Sequence, residues 1–140
     1  MDLINFSPVD VYVYQIIFIN LVIAVGLLSA LRFVTGVVAN VNSADELATR
    51  DNFAFGIAMA AGIIALALML TGAVSGEVGD TYVKEIVSVL AYGILGVILI
   101  KVGRLIQDKF VLTGIQIQEQ IKAGNLAAAL VDAANTIATG

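Results

Sequence analysis

Glu46-Leu-Ala-Thr-Arg-Asp-Asn52-Phe-Ala-Phe-Gly-Ile-Ala58 opens a long apolar run, and it returns near the far end of the chain as Glu119-Gln-Ile-Lys-Ala-Gly-Asn125-Leu-Ala-Ala-Ala-Leu-Val131. The Glu-to-Asn spacing is the same in both stretches. A motif that recurs at one spacing marks an internal repeat, and each copy supplies one supersecondary unit. The expected units are 1–76 and 77–140, two helical hairpins within one membrane domain. Around the repeats the chain is 60% apolar and only 13% charged, with a mean hydropathy of +1.01. A small soluble domain needs a polar surface and cannot be so apolar throughout.

Three stretches carry no charge: Val11–Leu31, Asn52–Gly76 and Ile86–Ile100. The first two exceed the roughly 20 residues that cross a bilayer core. The third reaches that length if it runs on to Ile106 and Lys101 and Arg104 snorkel to the headgroups. The first helix is expected to open at Ser7-Pro8, with Asp10 in its first turn, and to break near Thr35-Gly36. The second runs from Asn52 to about Val74. A turn over Ser75–Asp80 follows, and then a third helix from about Val83 to Ile106. The segment 107–122 carries Val111, Leu112, Ile115 and Ile121 on a helical stripe, while Ile115-Gln-Ile-Gln alternates with the period of a strand. An amphipathic helix at the membrane interface is the favoured reading. A fourth helix begins at Asn125, but its 16 residues span only about 24 Å. Either the native chain continues past Gly140 or protein shelters this helix on most sides.

Arg32, Arg50, Lys101, Arg104, Lys109 and Lys122 flank the two longer connections, and Lys84 alone lies at the opposite ends. This bias places both connections in the cytoplasm and both termini outside. Asp2 and Asp10 stand where a cleavable signal carries cations, so the first helix is expected to remain in the mature protein. The chain has no Cys and no His, which excludes disulfides, thiol nucleophiles, thiolate metal sites and imidazole acid–base chemistry. No metal or cofactor is expected. The net charge of −4 offers no basic field for nucleic acid.

Aligning Asn52 with Asn125 makes the second helix a control for the fourth. Met59, Gly62, Ile63 and Leu66 fall opposite Asp132, Asn135, Thr136 and Thr139. These positions share one helix face, apolar in the first copy and polar in the second. An acid at that depth costs about 2.5–3.5 kcal/mol on insertion scales, so the face should meet water, an ion or a polar partner. It reads as the lining of an ion, proton or solute path, as an interhelical hydrogen-bond cluster, or as a face near the outer interface. Asn52 and Asn125 read as caps at equivalent helix mouths, with an anion or headgroup site between two helix N-termini as the alternative. Glu46 and Glu119 read as loop acids on a solvated cytoplasmic face, able to close a cap or pair with Arg50 and Lys122. Ala54, Ala58 and Gly62 form a small-residue ridge, and Gly96 and Gly103 lie seven apart. Tyr12, Tyr14 and Tyr82 suit an outer aromatic belt.

Asp51-Asn-Phe-Ala-Phe-Gly-Ile, Gly124-Asn-Leu-Ala-Ala-Ala-Leu and Arg104-x-x-x-Asp108-Lys-Phe together resemble the YjfL family of bacterial inner-membrane proteins, a domain of unknown function numbered 350 and also called UPF0719. The resemblance covers nearly the whole chain, and the early end of the fourth helix departs from it. It implies four spans in two repeats, the bacterial inner membrane, no established enzymatic activity and no catalytic residues. It also makes a cytosolic phage-shock-like stress protein a plausible partner. The expected fold is therefore all-α, four transmembrane helices as two parallel hairpins. The leading expectation is a non-enzymatic homo-oligomer in the lipid bilayer with a polar path near Asp132. The alternative is a scaffold that recruits the stress protein through 107–122 and 32–51.

Overall fold

A computed structural model describes residues 8–39, 41–76, 81–111 and 114–140. The described residues fold into helices and contain no strand. In chain order these are α1 (Pro8–Ala39), α2 (Ser43–Ala48), α3 (Phe53–Val74), α4 (Tyr82–Ile106), a π-helical turn (Gln107–Val111), α5 (Ile117–Lys122) and α6 (Leu126–Thr139). Three of them, in α1, α3 and α4, are long and apolar enough to cross a membrane. The fourth expected span, α6, has 14 residues, about 21 Å of helix.

Successive contacts fix the helix directions. The Tyr12 and Tyr82 rings meet at a tilt, Asn20 bonds to Glu85, and a Cβ on Gly93 would strike Leu27, so α1 and α4 run parallel. Asn52 reaches Ile121 and Lys122 at one end of α3, and Gly140 lies against Ala65 half-way along it, so α3 and α6 also run parallel. Gly96 faces Leu66 and Met69, and Arg104 faces Ala58, which makes α4 antiparallel to α3. The basic residues collect at the end where α1 and α4 finish and α3 and α6 begin, called here the basic end.

The central helix is α3, half buried along its span, whereas α1 and α4 expose most of theirs. Phe18, Val25, Val87, Ile94 and Ile98 are among the apolar side chains left open on those helices. In water such a surface would drive aggregation; in a bilayer it meets hydrocarbon. Two apolar layers lie inside. One joins Leu31, Ala65, Leu66, Leu70, Val89 and Ile100 across α1, α3 and α4. The other joins Ala54, Phe55, Ala58 and Met59 of α3 to Ile117, Ile121 and Ala129 of α5 and α6. The small ridge of Ala54, Ala58 and Gly62 brings α6 and Arg104 close to the α3 backbone.

Two stretches differ from the expectation. Helix α1 passes through Thr35-Gly36 to Ala39. Thr35 Oγ1 returns a bond to Leu31 O, and Gly36 gives the room in which Ser43 of α2 packs. The segment after α4 is not one amphipathic helix: a π turn ends at Val111, and a separate six-residue α5 buries Ile117 and Ile121. Ile115 and Gln116 are neither helix nor strand. The cap expected at Ser7, Leu112 of the proposed stripe and the centre of the Ser75–Asp80 turn lie outside the described residues.

Candidate functional site

Asp132 is 1% exposed, the most deeply buried charged group described. It lies seven residues beyond the α6 cap, about 10 Å along the helix. Opposite it stands Arg104 of α4, whose Nη2 lies 3.1 Å from Asp132 Oδ2. Arg104 therefore does not snorkel to the headgroups. Its Nη2 also donates to Ala58 O of α3 at 3.1 Å, and its Nε to Thr136 Oγ1 at 3.3 Å. Gly62 lies beside the guanidinium, though a Cβ there would meet Nη2 at 3.9 Å, an ordinary contact. One guanidinium thus ties three helices together.

The pair is close but poorly aligned. Asp132 Oδ2 accepts no aligned hydrogen bond, while Nη2 spends one of its two protons on Ala58 O. Attraction between the two groups is therefore charge on charge, in surroundings of low dielectric where it is strong. Asp108, one turn beyond Arg104, is near enough for its carboxylate to act on both members. Gln107, buried at the start of the π turn, leaves its Nε2 without a partner. π turns gather at functional sites.

The expected polar face divides. Asp132 and Thr136 turn inward to Arg104, whereas Asn135 and Thr139 are exposed. Thr139 bonds back to Asn135 O and packs beside Gly103.

Asn52 and Asn125 both cap helices, accepting from Phe55 N and from Ala127 N and Ala128 N respectively. Their amide nitrogens differ. Asn52 Nδ2 donates to Glu46 Oε2, Ile121 O and Lys122 O, joining α2, α3 and α5. Asn125 Nδ2 meets only Gln120 Oε1, at the surface. Glu46 is not a solvated loop acid: it is 3% exposed, with its second oxygen on Arg50 at 2.7 Å. Glu119 remains exposed and pairs with Lys122.

The Asn52 bond, followed by the Arg50 bond and charge and by the Lys122 charge, holds the Glu46 carboxyl below its ordinary 4.5, against the opposing effect of desolvation. A depressed folded pKa contributes stability above the unfolded value and loses it as pH falls through the folded one. Melting temperature in detergent should therefore fall as pH drops from near 4.5. In Glu46→Gln that part of the pH dependence should flatten, while the melt at neutral pH starts lower.

A second buried pair was not anticipated. Asn20 Nδ2 donates to Glu85 Oε1 at 2.8 Å between α1 and α4, and Asn20 Oδ1 is left without a partner. A lone Asn inside the uncharged Val11–Leu31 run was the available signal, since a buried amide in hydrocarbon needs a partner on another helix.

A family model described as Domain of Unknown Function (DUF350) matches residues 9–140. The chain belongs to the DUF350 family. No curated protein and no solved structure matches it. This DUF350 chain is a membrane protein, with three helices of spanning length and an arginine–aspartate pair closed between α4 and α6.

Proposed function

We propose that this DUF350 chain is a non-enzymatic, homo-oligomeric protein of the bacterial inner membrane, in which α6 of each copy lines a polar path for a small ion or solute. The observation that supports this is Asn135. It is exposed on α6, ten residues beyond Asn125 and so about 15 Å along the helix, beside the membrane-spanning α3. A carboxamide turned to lipid loses water and gains nothing. Turned to the α6 of another copy, it gains hydrogen-bond partners. Thr139, one turn on, turns its side chain to Gly103 of α4 and leaves Asn135 as the outward amide. Behind it, Arg104 and Asp132 hold α6 against α3 and α4. In this reading the two stretches 1–76 and 77–140 are parallel repeats, both termini lie outside, and the basic end faces the cytoplasm.

Purified protein in liposomes should conduct, and Asn135→Leu should abolish the flux while the oligomer survives in size-exclusion chromatography with light scattering. Normal flux in the variant, or none in the parent, would sink the path. The scaffold reading keeps one supporting observation: Gln116, Glu119 and Gln120 stand exposed around the buried Ile117 and Ile121. There, changing Gln116 and Glu119 together should release a phage-shock-like partner and leave flux alone.

A further inference from the structure

At the basic end, α1 and α2 meet across an open cavity of about 720 Å³ whose lining includes Ser29, Arg32, Phe33, Gly36, Asn42 and Ser43. The close meeting depends on Gly36, because a Cβ there would collide with Ser43 Oγ. We propose that this cavity binds the phosphate of an anionic lipid, in the leaflet at the basic end.

Charge comes first. Arg50, Arg104 and Lys122 are engaged by Glu46, Asp132 and Glu119. Arg32 is exposed, and among the described residues it forms no ion pair and no acid lines the cavity. A guanidinium in that state offers its planar fork of donors to two phosphate oxygens. Position is the second argument. The candidate span Val11–Gly36 ends at this cavity, which is where headgroups lie. A soluble anion would have no reason to meet Phe33, whose ring is 73% exposed beside Arg32; an acyl chain would. The polar rim is the third. Ser29 Oγ now donates to Val25 O, and Ser43 Oγ to Arg32 O at 3.4 Å. Either hydroxyl can rotate its proton to a phosphate oxygen. Asn42 is held at the rim by capping α2 through Ala44 N and Asp45 N.

The test uses the full chain in nonionic detergent, titrated with phosphatidylglycerol, phosphatidylcholine or inorganic phosphate while lipid adducts are read by native mass spectrometry and the melt is followed. Phosphatidylglycerol should bind and raise the melting temperature, and the other two should not. A basic residue that only adds to the surface field contributes about fivefold, and Lys109→Gln measures that contribution. Arg32→Ala should weaken phosphatidylglycerol binding more than about tenfold, since it removes a charge-assisted fork. Arg32→Lys keeps the charge and should still bind more weakly than the parent, which serves if the alanine variant fails to fold. A loss in Arg32→Ala no larger than in Lys109→Gln, or full binding by Arg32→Lys, would overturn the fork. Equal stabilisation by inorganic phosphate would overturn the lipid as occupant.

Discussion

Asp132→Asn should lower stability by about 3–5 kcal/mol, because it leaves Arg104 as a buried cation with no counter-charge. Arg104→Gln should cost a similar amount for the converse reason. The joint change Arg104→Met with Asp132→Leu should cost far less than either alone, and could leave the protein as stable as the parent or up to about 4 kcal/mol more so. The asymmetry follows from geometry. The two charges attract without an aligned hydrogen bond, since Asp132 Oδ2 accepts none. Removing both therefore forfeits little directional bonding at the carboxylate, though Ala58 O and Thr136 lose their donor. Melts of the four proteins in one detergent give the coupling energy directly. If the double variant loses the sum of the two single losses, the groups do not act as a pair. The same experiment bears on the path, because it separates a residue that lines it from one that holds its wall in place.

Asn52→Asp should cost about 3 kcal/mol, and Asn125→Asp almost nothing. Aspartate caps a helix as well as asparagine does, so a capping role alone predicts no effect at either site. At position 52 the new carboxylate would face Glu46 Oε2, Ile121 O and Lys122 O, all acceptors, where Nδ2 now donates. Three satisfied contacts would become repulsive or unpaired in a buried site, each at about 1–3 kcal/mol before relaxation. At position 125 the amide nitrogen meets only an exposed glutamine, whose side chain can turn away. Equal melts for the two variants would reduce Asn52 to a cap.

The long apolar helices were legible because a bilayer imposes length and composition on each span separately. The starts of α3 and α6 were legible too, since capping is local chemistry. Partnership across helices was not. An arginine near the end of an apolar run looks the same whether it turns out to headgroups or inward to an acid on another helix, and Arg104 turns inward. Glu46 looked like any loop acid because its burial depends on Asn52 and α5, brought against it only by the fold. Asn20 and Glu85 lie on α1 and α4, which are not neighbours in sequence, so neither announced the other. Gly36 reads as a break on a single chain, and its use became visible only with Ser43 beside it.

The order in which the chain is made gives the Arg104–Asp132 pair a history. Arg104 precedes Asp132 by 28 residues, so α4 is made before α6. Until α6 docks, α4 carries a cation with no counter-charge, and the cheapest place for it is the headgroup layer, reached by extending the side chain. Only the arrival of α6 lets the guanidinium withdraw into the interior. Closure of the pair thus waits on α6: without Asp132 the interior position of the Arg104 guanidinium has no counter-charge, and the helix made later locks the one made earlier.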